Sequence, residues 1–351
     1  MTKTVSSNQN KPGRVAFLDL VRILACFLVI VNHTVPAVFQ GTGPSGLWGL
    51  GIYGLFLSKG AVPLFLMISG YTLLNRQDTY AATFRRVLRI AVCLVVFSGV
   101  YYLNEYLCGR IHNFGPVYFL GRMFTRPVTN AFWYLYTYLG LLIMLPFLQK
   151  LCSVMKKQDY HVFFFWSGLF FGFWPIVTHY IPLLEYTDYF ELPLFGSYLC
   201  LLFVGSYVRD YAPREKAKLL PWAGAYGLLC LLCAGLTWAE YLRSGGSDYL
   251  FYDDCTRLPL LAGSGLLFYG FSGCRIPAWV QGRTSSLARL TFGIFLVSDL
   301  LIEKLWFLYT DLVERGLWEL PACLMLQVSV FAAGAAIAWF LKKIPLLGKW
   351  I

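Results

Sequence analysis

Little in this chain is charged. Asp, Glu, Lys and Arg together make up 13% of it, while 58% is hydrophobic and the mean hydropathy is +0.60. That scarcity, repeated over long apolar runs, excludes a soluble domain and points to an all-α polytopic membrane protein. Acidic residues are the rarer sign, 18 against 29 Lys and Arg, for a net charge of +11. The excess is spread among the connections between apolar runs, so it is a topology signal and gives no reason to expect a nucleic-acid partner. Histidine is scarcer still, at four residues. No A-x-A-like cleavage site follows the first apolar run, which is therefore expected to stay as a helix. Internal repeats and low-complexity tracts are missing. Cysteine is not scarce, but the ten are scattered. Cys230 and Cys233 have C-x-x-C spacing inside "LLCLLCAG", which reads as helix filler rather than a redox or zinc motif, and no metal site is expected. Cys108 and Cys255 could meet outside the membrane, which the sequence does not show.

What is present is a succession of apolar segments. At about 20 residues per span, about ten are expected, near 15–38, 47–74, 84–107, 130–149, 161–181, 190–208, 219–242, 255–272, 286–306 and 318–341. The second is interrupted at "SKGAVP", where Pro63 predicts a kink or break. The connection over 108–129 is long, and "FGPVYFLGRMF" predicts an interfacial helix within it. Lys and Arg concentrate in alternate connections, for example Arg76, Arg85, Lys156, Arg209, Arg283 and Lys343. This bias predicts cytoplasmic termini at both ends. The expected organisation is a cytoplasmic tail over 1–14, one transmembrane domain over 15–343, and a cytoplasmic tail over 344–351. The location is the cell membrane, as a multi-pass protein in contact with the lipid bilayer.

The first segment, "LDLVRILACFLVIVNHT", carries Asp19, Arg22, Asn32 and His33 among apolar residues. Charge in hydrocarbon is costly and marks a function unless it is internally satisfied. Ten residues separate Arg22 from His33. At about 100° per residue the two share one helix face, roughly 16 Å apart along the axis. Asp19, three residues before Arg22, lies on that face too. Two readings stand: a satisfied polar stripe, or a site spanning much of the bilayer. In the second, an anion meets Arg22 at the cytoplasmic end and chemistry occurs at His33, the side chain best suited to proton transfer near neutral pH. Asn32, its neighbour, is expected to point about 100° away. The third segment opens "FRRVLRIAV", which puts Arg86 and Arg89 on one helical face; Arg89 lies beyond the boundary where an anchoring arginine belongs. Guanidinium groups suit phosphate, so Arg22, Arg86 and Arg89 together form a candidate anion site. Lys59, just before "AVP", is an unusual charge in an apolar run, either lining a cavity or reaching to the interface.

These stretches resemble the acyltransferase-3 family of membrane acyltransferases, which includes many O-acetyltransferases of bacterial surface glycans. The resemblance lies in Arg22, ten residues and His33 on the first helix; in "VPLFLMISGYTLL" from Val62 to Leu74; in the R-x-x-R of Arg86 and Arg89; and in "FWYLYTYLGLLIMLPFL". It extends over nearly the whole chain. One departure is "FGIFLVSDLL", with Asp299 where a "YLIH"-like stretch would place histidine.

The resemblance implies transfer of an acetyl or other short acyl group from a cytoplasmic acyl-CoA, a donor substrate and not a bound cofactor, to a hydroxyl of an envelope glycan or lipid-linked saccharide. In that scheme His33 is the general base, and Asp19 is grouped with it as the residue that orients or neutralises Arg22. Arg22, Arg86, Arg89 and Tyr71 hold the CoA. Lys59 and Asp299 face the acceptor. Asp299 and Glu105 are also the carboxylates available to partner His33. His112, His161 and His179 read as interfacial. The competing functions are a transporter or exporter of a small polar or saccharide substrate, and a module that only binds or senses a ligand. Neither needs an acyl donor or a proton acceptor at His33.

Overall fold

The structure is a computed structural model that describes residues 15–185, 197–247, 249–345 and 347–351. Among these residues there are helices and turns and no strand. In chain order the helices are α1 (Ala16–Thr34), α2 (Pro36–Phe39), α3 (Gly46–Ser58), α4 (Ala61–Ser69), α5 (Tyr80–Leu107), α6 (Pro116–Thr125), α7 (Trp133–Val154) and α8 (Lys157–Ser167). They continue as α9 (Trp174–Tyr180), α10 (Ser197–Asp210), α11 (Leu219–Ser244), α12 (Leu258–Ser272), α13 (Ala278–Ala288), α14 (Thr291–Glu314) and α15 (Glu319–Leu341).

Seven helical stretches among the described residues are long and apolar enough to cross a membrane. They become eight if α13 and α14, bent by 53°, are one broken span. Two of the ten expected segments correspond to shorter helices, α10 with 14 residues and α12 with 15. Part of the expected 190–208 span, and the expected tail over 1–14, fall outside the described residues. Helix α6 forms where an interfacial helix was expected, and turns Val117 and Phe124 outward.

Helix α1 is the hub. It packs against α3, α4, α12, α13, α14 and α15. Its apolar residues Val21, Ala25 and Ile30 are fully buried, which leaves Arg22 and His33 to face open space. The break anticipated near Pro63 falls at Lys59–Gly60, between α3 and α4. Carbonyls freed there need donors. The Tyr226 hydroxyl, from α11, donates to the carbonyls of Leu57 at 2.8 Å and Phe56 at 3.3 Å. Ser45 caps the start of α3, accepting from the Trp48 amide at 3.1 Å, and Thr79 caps α5 by accepting from the Ala82 amide at 3.3 Å.

Helix α4 runs into a π-helical turn over Gly70–Leu74, which lies against α10. The approach is so close that a Cβ on Gly70 would stand 1.8 Å from the Leu202 carbonyl oxygen. A Cβ on Gly205 would stand 2.0 Å from that of Met67. Only glycine fits such backbone contact. Gly70→Ala or Gly205→Ala is therefore expected to destabilise the bundle by roughly 1–3 kcal/mol or more through overpacking. Gly224→Ala, with nothing within 4 Å of the added methyl, should not. Thermal unfolding in detergent measures the difference, and equal melting temperatures for all three would contradict this packing.

Candidate functional site

The polar face of α1 opens onto a row of cavities. At the Arg22 end, a cavity of about 360 Å³ is lined by Arg22, Arg86 and Arg89. It leads to a second of about 450 Å³, where Arg22 and Arg89 are joined by Arg289 and Lys342. At the His33 end lies another cavity of about 360 Å³, lined by Asn32, His33, Lys59, Asp253 and Asp254. Phe65, Tyr134 and Phe295 line both the histidine cavity and the first arginine cavity, and so form the partition between them. The Tyr134 ring lies 5.9 Å from Phe295, edge to face, and 6.1 Å from Phe65.

The arginines are held in different ways. Arg22 Nη1 donates to Asp19 Oδ1 at 3.1 Å, and the other Asp19 oxygen accepts from Ser285 of α13 at 2.9 Å. Asp19 is fully buried and lies fourteen positions before His33, roughly 21 Å along the helix. It therefore orients Arg22 and does not reach the atoms around His33. Arg86 forks onto Asp78, at 2.7 and 3.2 Å, and Gln149 donates to the same carboxylate at 2.8 Å. Burial alone would raise the Asp78 carboxyl, but the bonds from Arg86 and Gln149 outweigh it and hold the group below the usual carboxylate range. Arg89 donates to the backbone carbonyls of Trp350 at 2.7 Å and Ile351 at 2.8 Å. Burial, together with the nearby guanidinium groups of Arg89 and Arg289, lowers Lys342 from its ordinary value. An anion arriving there would relieve that repulsion.

At the other end, Lys59 pairs with Asp253 at 3.2 Å. The carboxylates Asp253 and Asp254 come from the turn between α11 and α12. His33 Nδ1 faces Asp299 Oδ1 of α14 at 4.0 Å. Glu105 turns to Arg122 at 3.6 Å instead. Asn32 lies beside His33 in the same cavity despite its rotation around the helix, and its amide oxygen accepts from Ser58 at 3.3 Å. The cavity wraps around the end of α1, so two neighbouring residues both reach it.

Tyr71 is not brought to the arginine cavities. Its hydroxyl bonds to Arg214 and its ring packs edge-on against Phe17 at 5.4 Å. His161 pairs with Tyr207 at 3.0 Å, and His179 stacks on Phe251 at 3.8 Å; neither lines the cavities around α1. Cys230 and Cys233 are free and buried in α11, and Cys108 and Cys255 do not pair. The residues that sequence reasoning passed over are Asp78, Asp253, Arg289 and Lys342. Only the convergence of the last two on Arg22 and Arg89 distinguishes them from the other basic residues.

Cys255 borders the histidine cavity and is buried there, whereas Cys108 is exposed. A maleimide at pH 7.5 should label exposed Cys108 at least roughly tenfold faster than Cys255, as read by peptide mass spectrometry. Faster labelling of Cys255 would show that the cavity is more open and polar than this.

Comparison with known proteins agrees with the geometry at the level of family. No curated protein and no solved structure shows a significant match to the chain. The family model described as "Acyltransferase domain", Acyl_transf_3, matches residues 15–342. With the arginine and histidine ends of α1 both inside the matched region, the chain belongs to the acyltransferase-3 family.

Proposed function

We propose that this acyltransferase moves an acetyl or other short acyl group from acyl-CoA to a hydroxyl of an envelope glycan or lipid-linked saccharide, with His33 as general base. The observation that carries the reading is the pair of unlike cavities on one helix, a cationic one at Arg22 and a histidine one at His33, divided by an aromatic partition. The phosphates of CoA suit Arg22, Arg86 and Arg89, and Arg289 and Lys342 add to the same field. The pantetheine arm is uncharged and of a length comparable to the rise from Arg22 to His33, so it would pass Phe65, Tyr134 and Phe295 to bring the thioester to the histidine.

In the transfer, His33 takes the proton of the acceptor hydroxyl as its oxygen attacks the thioester carbonyl carbon. The tetrahedral intermediate collapses with cleavage of the C–S bond. The sulfur leaves as thiolate, which needs little acid help at a thiol pKa of about 8.5, and the proton on His33 passes to it. Ester and CoA thiol are the products. The orientation proposed is Arg22 toward the cytoplasm and His33 toward the outer side of the cell membrane, with ten spans and both termini inside.

Transport is the competing reading, since a polar row through a bundle also suits passage of a solute. Purified protein in nanodiscs, given radiolabelled acetyl-CoA and membrane glycans, separates the two. Label should move to glycan with the native chain, and His33→Ala should slow transfer by roughly 10²–10⁴-fold. Label transfer unaffected by His33→Ala would remove the residue from the mechanism. Absence of both transfer and CoA binding would favour transport. Arg22→Ala and Arg89→Ala should each weaken CoA binding by roughly tenfold or more, measured by calorimetry on variants that elute as the native protein does. Unchanged affinity in both would contradict the donor site. Phe65→Trp, which narrows the partition, should slow transfer while leaving CoA affinity close to native.

A further inference from the structure

The two oxygens of Asp299 are treated differently. Oδ2 accepts from the Thr129 hydroxyl at 2.6 Å and from the Ala131 amide at 3.2 Å. Oδ1 is buried, has no hydrogen-bond partner among the described residues, and faces His33 Nδ1 at 4.0 Å. The helix bearing Asp299 is pinned one residue away. The Tyr101 hydroxyl of α5 accepts from the Leu300 amide at 3.0 Å and donates to the Leu296 carbonyl at 3.2 Å. One carboxylate oxygen is thus anchored so that the other is aimed at the imidazole.

We propose that Asp299 is the positioning carboxylate of His33: Oδ1 accepts the Nδ1 proton, fixes the tautomer that leaves Nε2 bare toward the cavity, and steadies the imidazolium when Nε2 takes a proton. The inference rests on the reading of His33 as base. The 4.0 Å separation is longer than a hydrogen bond, and catalytic contacts of this kind close when substrate fills the site. A carboxylate behind the ring favours the charged imidazolium and the bound tautomer together. The other ionisable groups around the same cavity are Lys59 on the α3–α4 break, Asp253, Asp254 and Cys255 in the turn before α12, Tyr134 on α7, and Tyr198 on α10. Lys59 is closed onto Asp253 at 3.2 Å, and Asp254 lies 3.9 Å from Arg257. Asp299 is the group left with an open oxygen toward the histidine.

The test is histidine NMR on the full chain in nanodiscs, with ¹⁵N-labelled imidazoles. Only four histidines are present, so His33→Gln identifies the signal of interest. Asp299→Asn and Asp299→Ser are both read, so that one folded variant suffices. Each should reduce the Nδ1–H tautomer of His33. Asp299→Glu, which restores the carboxylate, should recover part of that tautomer. In the transfer assay, Asp299→Asn should cost roughly 10²-fold in kcat with little change in KM for the donor. An unchanged tautomer of His33 in the folded variants would overturn the assignment. If transfer survives His33→Ala, the base reading fails, while the NMR coupling still decides whether Asp299 holds the ring.

Discussion

A charge placed among apolar helices needs a partner, and that requirement organises this bundle. Asp19 is fully buried and is satisfied by Arg22 and Ser285. Arg86 is locked on Asp78, with Gln149 completing the carboxylate. Glu240, also buried, accepts from Tyr180 at 2.5 Å and Arg243 at 2.7 Å, with His179 at 3.4 Å. These pairings tie α1 to α13, the turn after α4 to α5 and α7, and α9 to α11. Arg22, Arg89 and His33 line the cavities that border α1.

Those cavities differ in sign. Arg22, Arg86, Arg89, Arg289 and Lys342 surround the space at one end of α1, whereas carboxylates outnumber lysine at the other. The three aromatic side chains between them keep the chambers apart without adding a polar group to the partition's packing, apart from the Tyr134 hydroxyl.

The framework that holds this division is made by irregular backbone as much as by straight helix. The α3–α4 break presents Lys59 to the histidine cavity, and Tyr226 satisfies the carbonyls that the break exposes. The bend between α13 and α14 places Arg289 at one chamber, and further along α14 Asp299 faces His33. Broken helices at membrane depth are tolerated where neighbouring side chains re-satisfy the backbone.

Much of this was legible in the chain itself. Helical periodicity put Arg22 and His33 on one face, because a separation of eleven positions is close to three whole turns regardless of what surrounds the helix. The R-x-x-R pair, the break near Pro63 and the short helix after Gly115 follow from equally local rules. What sequence reasoning did not reach depends on contacts between residues far apart in the chain. Tyr71 carries a motif position yet turns to Arg214, because its place on the π-helical turn faces α10 and the following loop. Asp78 and Asp253 are ordinary loop carboxylates until packing sets them against Arg86 and Lys59. Asp299 is separated from His33 by most of the chain, and only the docking of α14 on α1 brings its open oxygen to the imidazole. The sequence by itself determined the apolar spans and the polar face of the first helix, since both are short-range properties of the helical repeat. The tertiary structure decided which carboxylate meets which cation and which stands behind the histidine, since those choices depend on how distant helices pack.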